Sequence, residues 1–226
     1  DYIASNISTD TEKKILGKLF LRSFNKTRFT KEEEKLQEIL DKLKSNADLL
    51  PEFDYKVHIV ENEKENAIAF PGGHIVVFSS LLKEIESENE IAMILAHELG
   101  HYVHRDHLRG LGRSFVFLVL SSLLFGADNQ VSRFIVSSLN NVKMKFSQKQ
   151  EIASDLYALQ LLNKTYGHIG GALDFYYKAV EKEKLGWFFY FSATHPYPKS
   201  RLKILKKTIK IKNYKIKDKI PFKFTQ

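Results

Sequence analysis

Apolar positions recur at helical spacing along most of the chain, interrupted by one early stretch that reads as strands. Ile15, Leu16, Leu19 and Phe20 make one stripe within residues 10–24. Leu36, Ile39, Leu40 and Leu43 make a second, in a helix that Thr30 and Glu33 open as a capping box and that Pro51 follows. Tyr55 to Val60 then alternates, with Val57 and Ile59 against polar neighbours. Ala67 to Phe70 is a short strand, Pro71-Gly72-Gly73 a sharp turn, and His74 to Phe78 the most β-rich run. From Ser79 the helical period returns. A short helix carries Leu81, Leu82 and Ile85, and a second capping box, Ser87 with Glu90, opens a helix from about Glu88 to about Leu108. Further helices are predicted over about Arg113–Phe125, Val131–Asn140, Val142–Asn163 (stopping near Gly167), 171–184 and Lys199–Lys210, while Lys212–Phe224 alternates weakly as a strand or a tail. With no repeated βαβ units, the predicted fold is α+β, mainly α, with one small N-terminal sheet.

At 226 residues the chain suits one large domain or two small ones, and 43% hydrophobic with 27% charged residues excludes disorder as a whole-chain reading. It has no cysteine, which removes disulfides, thiolate nucleophiles and Cys-ligated metals from consideration. Asp1 in place of methionine suggests a processed or trimmed chain. The longest apolar run, Phe115–Phe125, falls short of the roughly 20 residues a bilayer needs, so a soluble chain with a buried or lid helix there is expected. The net charge of +8 is unevenly placed. Residues 199–226 hold eleven Lys or Arg and one acid, Asp218, so that segment carries +10 and the remainder −2. A solvated Lys-rich face is the favoured reading of this tail, with peripheral membrane contact as the alternative. No nucleic-acid partner is expected, because no aromatic–basic groove or Gly-rich phosphate loop accompanies the charge.

The chemistry sits in His97-Glu98-Leu99-Gly100-His101. Two histidines four apart on a helix lie about 40° apart in azimuth and about 6 Å along the axis, so both imidazoles reach one metal ion. Glu98 flanks the position of a metal-bound water, as in zinc peptidases. Chance predicts His-Glu-x-x-His about 0.02 times in a chain of this composition. The turns before it are apolar, which argues for a buried helix, and Gly100 in mid-helix suggests close approach of a backbone or substrate. A hydrolytic zinc needs three protein ligands and one open position. Without cysteine the third is His, Asp or Glu. Glu151 and Asp155, four apart on an otherwise apolar helix, are candidates: Glu151 as ligand, Asp155 as acceptor from the outer ring N–H of His97 or His101. A surface pair of acids is the bland alternative.

These blocks resemble a known family. Asn66-Ala67 with Pro71-Gly72-Gly73-His74-Ile75 and Leu81-Leu82, Ala96-His97-Glu98-Leu99-Gly100-His101 with His104 and Arg109, Glu151-x-x-Ser154-Asp155, and Thr194-His195-Pro196 with Arg201 stand in the order found in the HtpX, CAAX prenyl protease and BepA-like zinc metallopeptidases of the gluzincin clan. Ser154 departs from the alanine usual there. The resemblance implies a zincin-like fold whose active-site helix carries HExxH. The expected layout is a single metallopeptidase domain over 1–226, with N-terminal helices in 1–50, a catalytic core in 55–205 and a basic tail in 206–226. It implies one Zn²⁺ per chain on His97, His101 and Glu151, Glu98 as general base, and Asp155 behind the ligands. His195 then stabilises an oxyanion or occupies the open metal position at rest, and Arg201 positions substrate or holds the His195 loop. Asn66 binds peptide backbone. The strand carrying His74 and Ile75 forms the cleft rim and pairs with an extended substrate. His58, His104, His107 and His168 are read as non-ligands.

The implied function is a zinc endopeptidase acting on peptide or unfolded-protein substrates, in a bacterial cell envelope. The alternative is a zinc-containing chaperone or assembly factor with a self-blocked site.

Overall fold

The structure is a computed structural model that describes residues 8–13, 29–49, 53–110, 146–184 and 194–224. The whole stripe predicted in 10–24, the helices predicted over 113–125 and 131–140, and the first turn of the helix from Val142 lie outside these residues. Besides a three-residue helical turn at Thr9–Thr11, the described elements are helices α1 (Thr30–Lys44), α2 (Ser79–Lys83), α3 (Glu88–Val103), α4 (Asp106–Gly110), α5 (Gln148–Tyr166), α6 (Asp174–Lys184) and α7 (Pro198–Lys212), with strands β1 (Lys56–Val60), β2 (Ala67–Phe70) and β3 (His74–Phe78). The fold is thus mainly α with one small sheet. Among the described residues no helix is long and apolar enough to cross a membrane.

The sheet has the order β1-β3-β2. β3 pairs parallel with β1 (Val57 opposite Ile75) and antiparallel with β2 (Ala69 opposite Ile75). β1 is an outer strand, and α1 closes its free side. Glu33 Oε1 accepts the Ile59 N–H at 2.7 Å and Gln37 Oε1 the Val57 N–H at 3.0 Å. The match is geometric, since four residues of helix rise about 6.0 Å and two of strand about 6.6 Å. This corrects the capping box predicted at Thr30. Phe29 is the N-cap residue, with no side-chain cap bond, because the Glu33 carboxylate serves the strand instead.

α3 runs through the middle of the protein, with every residue from Asn89 to Tyr102 buried. Ser87 caps it by accepting the Glu90 N–H, whereas the Glu90 carboxylate takes the Glu86 N–H and Lys178. Gly100 permits the contact with α5: a Cβ there would lie 2.8 Å from Ser154 Cα and 3.0 Å from its Cβ. The close approach is therefore a helix backbone. α5 begins with a full capping box, Ser147 with Gln150, and stops at the left-handed Gly167 (φ 70°).

Two boundaries differ from expectation. The helix predicted to run to Leu108 breaks after Val103, where Arg105 adopts φ 55°, and restarts as α4. No break falls at residue 205, because α7 continues through buried Leu202 and Leu205 to Lys212. The segment after it is docked rather than loose. Lys215 O accepts from Ile169 N (2.8 Å), Ile220 O from Glu88 N (2.8 Å) and Glu86 O from Phe222 N (3.0 Å), with the Phe222 ring buried. It thereby satisfies the Glu88 N–H in the first turn of α3, one of those a helix leaves without an internal partner.

Candidate metal centre

α3 presents His97 and His101 one turn apart, α5 presents Glu151 from its first turn, and the segment before α7 brings in His195. All four are buried, and their donor atoms lie within 4.8 Å of one another. His97 Nε2 is 3.1 Å from His101 Nε2 and 3.3 Å from His195 Nδ1. Glu151 Oε1 is 3.1 Å from His195 Nδ1 and 3.4 Å from His101 Nε2. An ion held tetrahedrally at about 2.0–2.1 Å needs donor atoms about 3.3–3.4 Å apart. These four spacings are close to that separation, and a nitrogen-rich donor set with one carboxylate is zinc chemistry.

Outer contacts set the tautomers. His97 Nδ1 lies 2.8 Å from Asp155 Oδ1, which turns its Nε2 lone pair toward the cluster. His101 Nδ1 faces Ser154 Oγ at 3.1 Å and Asp106 Oδ2 at 3.3 Å, and Phe146 stacks on its ring (centroids 3.9 Å apart, planes at 18°). His195 Nε2 is 3.4 Å from the Ala67 carbonyl, a contact that leaves Nδ1 as its inward lone pair. Asp106 and Phe146 were not foreseen. Along an unbroken helix Asp106 would sit about 140° round and 7.5 Å beyond His101. The turn at Arg105 returns it to the ring.

Charge points the same way. Four carboxyl groups, Glu98, Asp106, Glu151 and Asp155, are buried here, and Arg201 pairs with the last two. Arg201 binds Asp155 through Nε (2.8 Å) and Nη2 (2.7 Å), reaches Glu151 Oε2 with Nη1 (2.5 Å) and donates to the His195 carbonyl (3.1 Å). Burial pushes Asp155 up, but Arg201 and His97 outweigh it and hold the carboxyl at about 2. Glu151 is likewise raised by burial, and Arg201 and His195 pull it well below the usual range, so it is a carboxylate at neutral pH. His101 is lowered by burial yet lifted to about 9 by Asp106 and Glu151. Buried carboxyl groups around imidazoles whose inner nitrogens converge make a site that favours a bound cation. Neither oxygen of fully buried Glu98 has a hydrogen-bond partner among the described residues, and His195 Nε2 stands 3.7 Å from its Oε1.

The remaining predicted residues fall into two groups. Asn66 is buried beside the cluster. Its Oδ1 accepts from Thr194 Oγ1 at 3.2 Å, and its Nδ2 has no partner among the described residues. Arg201 lies behind Glu151 and Asp155, only 1% exposed, with its contacts directed to those acids, the His195 loop and Tyr176. His74 and Ile75 require a correction. β3 is the central strand, with both sides in the ladder to β1 and β2, so it has no edge for a substrate strand. β2 is the outer strand next to the cluster, and its Ala67 carbonyl touches His195. His74 pairs with His58 (3.0 Å), and its carbonyl accepts from Tyr102 Oη (2.8 Å).

Comparison with known proteins gives the family. Peptidase family M48 matches residues 30–209. The chain is 31% identical to the mitochondrial metalloendopeptidase OMA1 of Arabidopsis thaliana over 160 residues, covering 67% of this chain and 31% of that protein. It is 27% identical to the beta-barrel assembly-enhancing protease of Escherichia coli K12 (64% of this chain, 32% of the relative), and 31% identical to the metalloprotease LoiP of the same strain (49% and 45%). The chain belongs to peptidase family M48, and its cofactor is zinc. It spans between about a third and a half of these relatives' lengths.

Proposed function

We propose that the protein is a zinc-dependent endopeptidase of zincin-like fold, a single metallopeptidase unit in which α3 is the active-site helix. His97, His101 and Glu151 hold the metal. The observation that carries this reading is the meeting of their donor atoms beside a buried carboxylate, Glu98, whose oxygens have no hydrogen-bond partner among the described residues. Bound zinc supplies Lewis-acid polarisation of the scissile carbonyl and a water of lowered pKa.

The chain's own groups do the rest. A substrate strand adds to the outer edge of β2, where main-chain groups of Ala67–Phe70 pair with it and Asn66 Nδ2 donates to a peptide carbonyl. Glu98 takes a proton from water onto a carboxylate oxygen and later delivers it to the leaving amine. Asp155 and Asp106 keep the two imidazoles in their ligating tautomers, and Arg201 fixes Asp155, Glu151 and the His195 loop together. His195, once swung off its Nδ1 contact, donates from its ring to the developing oxyanion.

A second reading is favoured by one observation. With His195 Nδ1 in the donor set, a zinc ion held there would have four protein ligands, as in a closed site. The resting protein is then self-blocked, which suits an assembly factor that cuts rarely. One relative is named for enhancing β-barrel assembly. Unfolded polypeptides as substrates and a bacterial envelope as location follow from the same analogy, β-barrels being outer-membrane structures.

The test is casein digestion with metal analysis on wild type, Glu98→Gln and His195→Ala. Glu98→Gln keeps about one zinc and loses at least about 10²-fold in rate. Unchanged turnover removes Glu98 as base. A rise in rate on His195→Ala assigns it to blocking the metal, and a fall assigns it to the oxyanion.

A further inference from the structure

We propose that the end of α7 and the segment that follows it, residues 210–223, form a docking surface for an anionic lipid bilayer.

The side chains are sorted in an unusual way. Three of the six exposed large apolar residues described lie here: Ile211 (68% exposed), Ile216 (71%) and Ile220 (40%), the first two being the most exposed of all. The aromatic residues of the same stretch turn inward. Phe222 is buried with Lys35 over its ring, and Tyr214 and Phe224 pack against the core. A merely solvated face would send isoleucine in and lysine out. Here both point out.

The isoleucines are not on a loose end. Main-chain bonds at Lys215 (to Ile169), Ile220 (to Glu88, and from its own N–H to Asn89 Oδ1 at 2.9 Å) and Phe222 (to Glu86) fix the backbone on either side of them. A rigid frame that presents branched apolar side chains loses little conformational entropy on binding.

Exposed lysines bracket each one: Lys210 and Lys212 around Ile211, Lys215 and Lys217 around Ile216, Lys219 before Ile220. Lys219 pairs with Asp174, but Lys203, Lys207, Lys210, Lys212, Lys215, Lys217 and Lys223 have no carboxylate partner among the described residues. Cationic groups interleaved with protruding aliphatic ones match a negatively charged headgroup layer with acyl chains just beneath. Nucleic acid suits the face less well, because the aromatic rings that could stack on bases are folded away.

The test is co-sedimentation of the purified chain with vesicles containing about 30 mol % phosphatidylglycerol in phosphatidylcholine, against pure phosphatidylcholine. Partitioning at least about tenfold stronger onto the anionic vesicles is expected, weakening as salt rises. The variant Ile211→Ser/Ile216→Ser/Ile220→Ser loses about tenfold or more, and Lys210→Gln/Lys212→Gln/Lys215→Gln/Lys217→Gln flattens the salt dependence. All these side chains are exposed, and a melting curve checks that each variant is folded. Should the triple variant melt early, Ile216→Trp replaces it, with indole quenching by brominated lipid as the expected signal. Equal partitioning onto both vesicles overturns the proposal. So does a folded triple variant that binds like wild type, an Ile216→Trp indole that brominated lipid leaves unquenched, or tighter binding to a DNA or RNA strand that depends on the lysines alone.

Discussion

Arg201 grips Asp155 with two nitrogens, Nε to Oδ2 and Nη2 to Oδ1, while its third nitrogen rests against Glu151. One guanidinium therefore neutralises both acids of the Glu-x-x-x-Asp turn, and Tyr176 Oη closes the remaining side of Asp155 at 2.6 Å. Replacing Arg201 by methionine strands two buried charges and should cost about 3–5 kcal/mol. Lysine cannot reproduce the planar fork and should recover less than half of that loss. Urea unfolding of the three proteins decides it. A lysine variant as stable as wild type would show that only the charge matters.

Asp106 and Ser154 compete for the same ring nitrogen of His101, at 3.3 and 3.1 Å. The carboxylate also receives Gln150 Nε2 at 2.6 Å and so is firmly placed. Asp106→Ala should weaken zinc binding about 10–100-fold, and Ser154→Ala by less than about threefold. Competition against a chromogenic chelator measures both, and the reverse order would make the hydroxyl the orienting group.

Gly100→Ala sets two effects against each other. Alanine favours the helix by about 1 kcal/mol. Its Cβ, however, meets Ser154 Cα at 2.8 Å and Ser154 O at 3.1 Å, and overpacking of this kind costs about 1–3 kcal/mol. The steric term should win, giving a lower unfolding midpoint. Ser154→Gly should fail to rescue it, because two of the three nearest atoms are backbone.

The His58–His74 pair on the sheet gives a pH dependence separate from the metal. Burial lowers both imidazoles to about 4, with Lys56 adding to the effect at His58 and His58 at His74. Each is therefore neutral when folded but takes a proton near 6.5 when unfolded. Their stability contribution is complete above about pH 6.5 and is lost as pH falls from there toward 4. At pH 5 the loss is about 1–2 kcal/mol per ring. His58→Gln should gain thermal stability relative to wild type as pH drops from 7 to 5, and parallel melting curves across that range would refute the pairing.

Local signals were legible wherever one residue type decides the backbone. Pro71-Gly72-Gly73 marked the β2–β3 turn, Gly167 the end of α5, and His-Glu-x-x-His the histidine pair that α3 brings together. What escaped depends on contacts between distant parts. Nothing within His104-Arg105-Asp106 announces a break, since no Gly or Pro stands there. Glu33 three residues after Thr30 resembles a cap, yet its partner Ile59 is 26 residues away. That β3 lies between β1 and β2, and so has no edge to offer, is a matter of strand order that alternating hydrophobicity does not encode.

Arg201 follows Glu151 by fifty positions and His101 by a hundred. On the ribosome, both acids of α5 emerge well before the guanidinium that neutralises them, and His195 emerges with it. Closure of the candidate metal centre is thus timed to the departure of α7 from the exit tunnel, and a polypeptide still under synthesis carries the imidazole pair without the means to assemble around it.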